Sequence, residues 1–451
     1  MSINYFSVKN LEKEYEELKK GKLNTGISKV SRKSFERDKP FHIKIISEKA
    51  LSKTYHFTPY KEILIIKDKN SKPRVLSIPT IKDKLTLSIL KQVIDKSFHL
   101  KGKKQTVEDI VLAVSHIIKS NKYDYYYKLD LSNYFGSINH RILNKKLSSA
   151  IHDTIIIKLI KDAITTPTVN ADLRRKDRPE AINKKGVPQG LSISNSLAFI
   201  YLLDIDNKYK RFKKFTYFRY VDDILILCNQ SDYDGIKNSL ESELKNIAKL
   251  KINQSKRKAD YISNSFDFLG YTFLPDGNIS VREKNRLKVE RSLEEIFNDF
   301  KNARDRHIKG NYELLKWKID LRITGCMMKK KQYGWVKFYR LSTIEKDFYK
   351  LDAVIRNLIK RYGLEKKLIK GNKYIGKKFS KAYYEISKNN ETTKYVPNFN
   401  DYTIEQKKNL LTEVCRRKTD KWTDSMIEYE FDKFIFKSIS GLEQDLQQIY
   451  M

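Results

Sequence analysis

A pair of adjacent carboxylates inside an otherwise apolar stretch constrains this chain more than any other feature. Residues 217–228 read YFRYVDDILILC, so aromatic and β-branched residues flank Asp222 and Asp223 on both sides. Such residues favour buried strands, and the stretch predicts a strand, a turn and a second strand with the acidic pair at the tip. Two neighbouring carboxylates repel each other unless cations neutralise them. The pattern therefore predicts a cation site at the tip of a buried hairpin.

A third carboxylate follows another predicted strand. Asp130 ends an aromatic run that includes Tyr125, Tyr126 and Tyr127, and the backbone carbonyl of Leu131 stands next to it. Carboxylate and carbonyl oxygens are the ligands that Mg²⁺ prefers, and two such ions about 3.5 to 4 Å apart suit phosphoryl transfer between nucleotides. Taken singly, each Asp has an alternative role in a turn or at a helix N-cap.

A glycine-rich turn lies between these two acidic segments. Residues 186–198 read GVPQGLSISNSLA, which predicts a rigid turn leading into an apolar helix. Gly186 and Gly190 would allow a close backbone approach to a base pair or a sugar, and the Gln189 amide can donate and accept hydrogen bonds.

In this order the motifs resemble those of the reverse transcriptase family, the RNA-directed DNA polymerases, over roughly residues 43–273. Tyr220–Asp223 resembles the YxDD box of that family. The resemblance implies that Asp130 and the hairpin pair are catalytic and, with the Leu131 carbonyl, hold two Mg²⁺ ions, with Mn²⁺ as an alternative. It also implies that Phe135 blocks a ribose 2′-hydroxyl, so that the substrates are deoxynucleotides and the product is DNA.

Several basic residues extend the resemblance to a nucleotide site. Two predicted strands, residues 62–67 and 73–79, are joined by a polar hairpin and resemble the fingers segment that clamps an incoming triphosphate. A guanidinium there can bind phosphate oxygens in a bidentate manner. Lys256 resembles the lysine that acts as a general acid beside the leaving pyrophosphate. The deoxynucleotide-binding residues implied in this way are Lys67, Arg74, Phe135, Gln189 and Lys256.

Contacts with the primer and template are implied by a second hairpin. Residues 268–271 read FLGY and resemble the primer grip, which bears on the growing strand near its 3′ end. The residues implied to contact primer or template are Tyr220, Gly190, Leu269, Gly270 and Tyr271.

Composition agrees with a nucleic-acid partner. Lys and Arg exceed Asp and Glu by 91 − 55 = 36 residues, which favours a polyanion such as an RNA template. Aromatic and basic residues alternate in residues 333–340 and 370–384, a pattern typical of surfaces that bind bases and phosphates. The three cysteines are too far apart for a zinc knuckle, and no stretch reads as a signal peptide or a membrane span. A cytoplasmic protein with no membrane contact is expected.

The expected fold class is α+β, a right-hand polymerase with fingers and palm, in which an antiparallel sheet packs on helices. A basic extension occupies residues 1–40, with residues 21–40 expected to be irregular. Fingers and palm are expected over residues 41–275, a helical thumb over 276–363 and a mostly helical C-terminal extension over 364–451, because the helical periodicity strengthens after residue 276.

A finer resemblance is to the bacterial defence-associated reverse transcriptases of the unknown-group and abortive-infection type. It depends on the sequence RITGC at residues 322–326, on Gly334 and Trp335, and on the absence of recognisable ribonuclease H and endonuclease patterns. The resemblance implies antiviral (phage) defence in bacteria, DNA synthesis on an associated noncoding RNA, and a homo-oligomer or a partner defence protein.

Three alternatives remain open from the sequence. The same site would serve a template-independent or protein-primed terminal deoxynucleotidyl transferase. A retron-like reverse transcriptase is a second alternative, although Asn170 and Ala171 are not followed by the His of the retron motif. The third is a catalytically silent nucleic-acid-binding protein.

Overall fold

The computed structural model describes residues 5–21, 23–65, 73–172, 182–305, 310–329, 331–371, 373–389 and 393–444. Contacts divide the chain into two compact units, which are described separately. The first unit comprises residues 1–107 and 123–261, and the second comprises residues 108–122 and 262–451. The predicted nucleotide-binding residue Lys67 lies outside the described residues.

Both units mix helices with short sheets. The strands are β1 (Tyr60–Ile65), β2 (Arg74–Ile78), β3 (Tyr125–Asp130), β4 (Thr168–Val169), β5 (Thr216–Tyr220), β6 (Asp223–Cys228), β7 (Lys258–Tyr261), β8 (Phe266–Phe268), β9 (Tyr271–Phe273), β10 (Ile279–Val281), β11 (Cys326–Met328), β12 (Lys331–Tyr333), β13 (Ile369–Lys370) and β14 (Lys373–Tyr374). The helices are α1 (Val8–Leu18), α2 (Arg32–Arg37), α3 (Lys39–Leu51), α4 (Ile81–Ser97), α5 (Val107–Lys119), α6 (Tyr134–Ser137), α7 (His140–Ser148), α8 (Thr154–Thr165), α9 (Ser194–Tyr201), α10 (Leu203–Tyr209), α11 (Tyr233–Asn246), α12 (Glu283–Asp305), α13 (Tyr312–Thr324), α14 (Trp335–Phe338), α15 (Lys346–Arg361), α16 (Glu365–Leu368), α17 (Phe379–Lys388), α18 (Ile404–Asn409) and α19 (Asp424–Gln444).

An antiparallel four-stranded sheet, in the order β5-β6-β3-β7, is central to the first unit. Strand β6 is buried along Ile224–Cys228, as its unbroken apolar sequence requires, because both faces of the strand are covered. The core on this sheet includes apolar residues of α4, α8 and α9. The predicted hairpin around Asp222 and Asp223 is confirmed, with β5 and β6 as its two strands.

A smaller sheet in the same unit contains the predicted fingers strands. β1 and β2 are antiparallel, and β4 pairs with β1 in parallel. The Ser77 hydroxyl lies 2.7 Å from the Thr168 hydroxyl, which joins β2 to β4 by a side-chain hydrogen bond.

The expectation that residues 21–40 are irregular is wrong. Helix α2 and the start of α3 fall within this stretch, and the Ser31 hydroxyl caps α2 by accepting a hydrogen bond from the Ser34 N–H at 3.1 Å. Phe35 is 1% exposed because its ring lies between those of Tyr15 and His42, with ring-centre distances of 5.1 and 4.8 Å. A single buried aromatic side chain thus orders a segment whose composition is otherwise polar.

In its described residues, the second unit is largely helical, with three small antiparallel sheets. Gly325 has φ 65 and lies against the β11–β12 hairpin, where a Cβ on it would meet the Tyr333 carbonyl oxygen at 1.8 Å. A Cβ on Gly334 would in turn lie 2.7 Å from the Gly325 Cα. Close backbone packing therefore accounts for both glycines of the motifs that carry the finer resemblance.

The expected α+β class is confirmed, since antiparallel sheets and helices share one core in the first unit. The domain boundaries after residues 40, 275 and 363 stay predictions. Among the described residues, no helix combines the length and the apolar character that crossing a bilayer requires.

Candidate active site

The tip of the β5–β6 hairpin is a two-residue turn. Tyr220 and Asp223 pair across the two strands, which leaves Val221 and Asp222 as the turn. Val221 has φ 56, a left-handed conformation that a β-branched residue rarely adopts. Backbone strain of this kind is often found at functional sites, where the surrounding structure maintains it.

Strand β3 brings the third carboxylate to the same edge of the sheet. Asp130 is the register partner of Asp223, and the Leu131 N–H donates to the Asp222 carbonyl at 3.2 Å. Antiparallel partners have Cα atoms about 4.5 to 5.5 Å apart, so Asp130 and Asp223 are immediate neighbours. The strand register thus assembles the three predicted carboxylates at the hairpin tip.

A buried ion pair supports the strained turn. Arg219 donates through Nε and Nη2 to the two Asp206 carboxylate oxygens at 2.7 and 2.5 Å, and through Nη1 to the Val221 carbonyl at 2.8 Å. The Tyr217 hydroxyl also donates to Asp206, at 2.9 Å. The side chains of Arg219 and Asp206 are only 3% and 4% exposed. Arg219 therefore joins helix α10 to the turn that carries Asp222.

Arg219 stays protonated despite its burial. Burial alone would lower the pKa of the guanidinium, but the adjacent Asp206 carboxylate outweighs that effect and raises it. A buried charge that lost its partner would be strongly destabilising. The turn is consequently held by a group that stays charged over the whole accessible pH range.

Asp130 is engaged by the segment between β6 and β7. The Lys256 ammonium donates to Asp130 Oδ1 at 2.9 Å, and the Asn253 amide donates to Oδ2 at 3.2 Å. Asn253 also caps the turn that carries Lys256, since its Oδ1 accepts from the Ser255 N–H at 3.2 Å. The Lys256 side chain is 62% exposed and that of Asp130 is 11% exposed, so the ammonium reaches the carboxylate from the solvent side.

The carboxylates are electrostatically frustrated. Burial, followed by the charges of Asp222 and Asp130, raises the pKa of Asp223 to about 7. Burial and the charge of Asp130 also raise the pKa of Asp222, against the opposing charges of Lys256 and Arg74. A cation at the hairpin tip would relieve this repulsion, because it favours the charged form of each carboxyl group.

The carboxylates do not converge as a ready-made ligand set. Within the described parts of the chain, no three His, Cys, Asp or Glu side chains are close enough together to hold one metal ion. Asp130 is instead occupied by the Lys256 ammonium, which donates to its Oδ1 at 2.9 Å. The oxygen donors nevertheless fit a hard divalent cation, and Lys256 is a monovalent stand-in at one of them.

Arg74 lies within the electrostatic field of these carboxylates. Burial lowers the pKa of its guanidinium, while the charges of Asp222 and Asp130 raise it. Arg74, at the start of β2, is therefore close enough to these two carboxylates for their charges to act on its guanidinium.

The glycine turn connects to both neighbouring elements. A Cβ on Gly186 would lie 2.9 Å from the Gly136 Cα, and a Cβ on Gly190 would lie 3.0 Å from the Ser77 carbonyl oxygen. The Gln189 carbonyl accepts a hydrogen bond from the Ser77 N–H at 2.7 Å. The close approach that these glycines permit is thus to backbone of this chain, and contacts of Gly190 and the Gln189 side chain with substrate stay predictions.

Phe135 follows Asp130 by five residues, and its backbone is hydrogen-bonded to the glycine turn. It lies on α6, directly after β3, and is 8% exposed. Its carbonyl accepts from the Val187 N–H at 2.8 Å, which ties α6 to the glycine turn.

The predicted primer grip belongs to the second unit. Leu269 with φ 47 and Gly270 with φ 88 form the turn between β8 and β9. Tyr271 is fully buried, and its hydroxyl donates to the Phe338 carbonyl. Only the backbone and the turn residues of this hairpin are therefore left for the predicted contact with a primer.

Sequence reasoning missed Arg219, Asp206 and Asn253. A signal for the first existed, since a lone arginine inside an apolar strand needs a buried acceptor. Its partner could not be identified, because several acidic residues stand within reach in the sequence.

Comparison with known protein families identifies a segment that contains the hairpin tip. Residues 66–273 match the family described as reverse transcriptase (RNA-dependent DNA polymerase). This segment is a reverse transcriptase domain. It contains the YVDD hairpin, Asp130 and the glycine turn, and the family it matches is one of RNA-dependent DNA polymerases, which are nucleotidyltransferases.

The individual proteins and solved structures that resemble this chain share little sequence identity with it. Protein YkfC of Escherichia coli (strain K12) is 23% identical over 351 residues, which cover 68% of this chain and 87% of that protein. The apo telomerase of Candida tropicalis has a TM-score of 0.43 and 16% identity, covering 69% of this chain and 60% of its own. The telomerase of Candida albicans in complex with a TWJ fragment of telomeric RNA has a TM-score of 0.44 and 13% identity. The match covers 88% of this chain and 64% of the telomerase chain.

Proposed function

We propose that this reverse transcriptase domain synthesises DNA at the β5–β6 hairpin tip, with Asp130, Asp222 and Asp223 as its catalytic carboxylates. The observation that carries the proposal is the strand register, which places Asp130 opposite Asp223 with Asp222 in the adjoining turn. The raised pKa values of Asp222 and Asp223 support it, because a cation is needed to keep these groups charged together.

The three carboxylates and the Leu131 carbonyl would hold two Mg²⁺ ions, or Mn²⁺ in their place. Divalent ions at such a site activate a primer 3′-hydroxyl and stabilise the leaving pyrophosphate. Lys256 would release Asp130 for this role and turn to the leaving group. Its ammonium would donate a proton to the pyrophosphate as the bond from the primer oxygen to the α-phosphorus forms and the bond to pyrophosphate breaks, while the proton of the 3′-hydroxyl passes to water.

The remaining predicted residues bind and select the nucleotide. Arg74, with Lys67, neutralises the triphosphate, since a guanidinium binds phosphate oxygens in a bidentate manner. Phe135 excludes a ribose 2′-hydroxyl, and the Gln189 amide contacts the substrate. Tyr220 and Gly190, with the turn at Leu269 and Gly270, contact the primer and template.

The template we propose is an associated noncoding RNA, and the physiological role is antiviral defence. The surplus of 36 basic residues supports an RNA partner. The defence role is supported by the resemblance of the RITGC and Gly334–Trp335 segments, and a homo-oligomer or a partner defence protein belongs to the same proposal.

Replacing both Asp222 and Asp223 by Ala tests the catalytic assignment. Incorporation of labelled deoxynucleotides on a primed RNA template should be abolished, while RNA binding and the far-ultraviolet circular dichroism spectrum stay unchanged. Asp234→Ala, an exposed acidic residue of α11, is the matched control and should retain full synthesis. Synthesis by the double variant at the rate of this control would refute the assignment.

Phe135→Ala tests the sugar preference. The ratio of ribonucleotide to deoxynucleotide incorporation should rise, because the space for the 2′-hydroxyl opens. Phe57→Ala is a matched control, since Phe57 is 7% exposed and Phe135 is 8% exposed in the same unit. Equal ratios in both variants would show that Phe135 does not set the preference.

A further inference from the structure

A cavity rich in cationic side chains lies in the second unit and is lined in part by the alternating basic and aromatic segment 370–384. It has about 310 Å³ of empty space, part of it open to solvent. Its lining residues are Asp352, Ile355 and Arg356 of α15, and Lys373, Tyr374, Lys377 and Lys378 of the segment that leads into α17. We call it the cation cavity.

The backbone of this segment is fixed by buried acceptors. Asp320 accepts hydrogen bonds from the Lys377 N–H at 2.7 Å and from the Tyr374 hydroxyl at 3.1 Å. The Lys378 N–H donates to the Tyr395 hydroxyl at 2.7 Å. Gly376 makes the approach possible, since a Cβ there would lie 2.3 Å from the Asp320 Oδ1. These hydrogen bonds fix the backbone of the segment beside the cavity.

The positive charge of the cation cavity is not neutralised internally. Among the described residues, no carboxylate forms an ion pair with Arg356, Lys373, Lys377 or Lys378. Asp352 is the one carboxylate in the lining, and its oxygens already accept from the Phe379 N–H at 2.6 Å and from the Ser380 hydroxyl at 2.6 Å. Four cations therefore face Asp352 in the lining and Asp320 behind Lys377, and the oxygens of both carboxylates already accept hydrogen bonds.

Burial adds to the cost of this arrangement. It lowers the pKa of Lys377, against the opposing charge of Asp320. The Lys377 ammonium lies 4.2 Å from the centre of the Tyr395 ring, a cation–π contact that holds it at the cavity without neutralising it. An anion in the cavity would supply the missing negative charge.

The aromatic residue in the cavity lining does not offer a stacking surface. The alternating sequence of residues 370–384 predicted contacts with bases, but Tyr374 in the lining is 7% exposed and its neighbour Phe379 is 0% exposed, and the exposed Tyr384 (55%) is not among the lining residues. Recognition at the cavity consequently depends on charge and hydrogen bonding rather than on base stacking. A phosphate group fits this chemistry, because one guanidinium and three ammonium groups can each donate to its oxygens.

We propose that the cation cavity binds a phosphate group of a nucleic-acid strand. The inference rests on the proposed function in one respect, since DNA synthesis on RNA supplies the strand. It adds a phosphate site in the second unit that is separate from the nucleotide site of the reverse transcriptase domain.

The test is the affinity of the full-length protein for a labelled RNA–DNA primer–template, measured over a range of salt concentrations without metal ions or nucleotides. The double variant Arg356→Gln with Lys373→Gln removes two exposed cations of the cavity, and Lys418→Gln with Lys421→Gln removes two exposed lysines of the same unit outside it. The cavity variant should bind roughly tenfold more weakly, as the loss of charge-assisted hydrogen bonds predicts. The slope of log affinity against log salt should fall by about one relative to the control variant.

Strands with a 5′-phosphate and with a 5′-hydroxyl separate two sources of the phosphate. A loss with both strands assigns the site to a backbone phosphodiester, and a loss confined to the phosphorylated strand assigns it to the terminal phosphate. Either result supports the proposal. Equal affinity of the cavity variant and the control variant for both strands would overturn it.

A second variant, Lys377→Gln, and the melting temperature of the unmodified protein serve as further controls. Lys377→Gln should weaken binding in the same way, and a thermal melting temperature equal to that of the unmodified protein shows that the fold is intact. If the unmodified protein makes no DNA, the proposed function fails, while the binding comparison still decides the cavity.

Discussion

Arg219 beneath the hairpin tip and Arg356 at the cation cavity carry the same guanidinium in opposite surroundings. The side chain of Arg219 is 3% exposed and donates to Asp206 and to the Val221 carbonyl. Arg356 is exposed and, among the described residues, has no carboxylate partner. A cation whose donors are satisfied internally fixes the position of backbone. A cation without internal partners is available to a polyanion, and the difference separates residues that shape the chain from residues that bind ligand.

The largest effect is expected from Arg219→Gln. It leaves Asp206 buried without its cation, which typically costs about 3 to 5 kcal/mol in the free energy of unfolding. The Val221 carbonyl also loses its donor, so the turn that carries Asp222 shifts. Because a misplacement of about 1 Å can reduce a rate roughly 100-fold, DNA synthesis should fall on that scale. Urea unfolding and deoxynucleotide incorporation at a temperature where the variant is folded measure the two effects.

Arg219→Lys separates positioning from stability. An ammonium keeps the ion pair with Asp206 but cannot also reach the Val221 carbonyl with the fixed geometry of a guanidinium. The variant should therefore regain more of the stability than of the synthesis rate. If rate and stability recover in proportion, Arg219 is only a structural residue and the comparison with Arg356 loses its meaning.

A smaller effect is expected from pH in the metal-free protein. The pKa of Asp223 is raised to about 7 from an ordinary value of 3.8, so the folded state binds more protons than the unfolded state between these values. Stability should consequently fall as pH rises from about 4 to about 7. Replacing Asp223 by Asn should flatten this dependence, and adding Mg²⁺ should oppose it.

Unfolding in urea across this pH range is the measurement. Asp234→Asn serves as the control and should keep the dependence, since this exposed residue lies outside the hairpin. A stability profile that is the same in Asp223→Asn and in the control would show that the carboxylates are not frustrated in the way described.

The smallest effect is expected from Arg356→Gln on stability. Because this side chain is exposed and has no ion-pair partner among the described residues, its removal should change the free energy of unfolding by less than about 0.5 kcal/mol. Parallel urea titrations of Arg356→Gln and Arg219→Gln compare the two arginines directly. A loss at Arg356 as large as that at Arg219 would mean that it too is a structural cation.

The sequence was sufficient where a local pattern specifies structure. The apolar run around Asp222 and Asp223 predicted the hairpin, and the aromatic run before Asp130 predicted β3, because β-branched and aromatic residues favour buried strands. Asp130 and Asp223 are neighbours because of the strand register, which hydrophobic periodicity does not predict. The resemblance to a family was needed to predict that the two carboxylates act together.

The sequence was insufficient where partners come from different elements. Arg219 and Asp206 are 13 residues apart, on a strand and on a helix, and nothing local shows that they meet. Phe35 orders a segment that its polar neighbours made look irregular. A net charge of +36 indicates a polyanionic partner but does not tell which cations, such as Arg356, lack an internal partner.

The most direct test of the central claim is DNA synthesis by the purified protein with its bound nucleic acid, which is also sequenced. Labelled deoxynucleotides and Mg²⁺ are added with and without prior ribonuclease treatment, beside the variant in which Asp222 and Asp223 are Ala. We expect a defined bound RNA that is copied into DNA, no templated product after ribonuclease, and no product from the variant. Synthesis that survives ribonuclease, or that persists without Asp222 and Asp223, would contradict it.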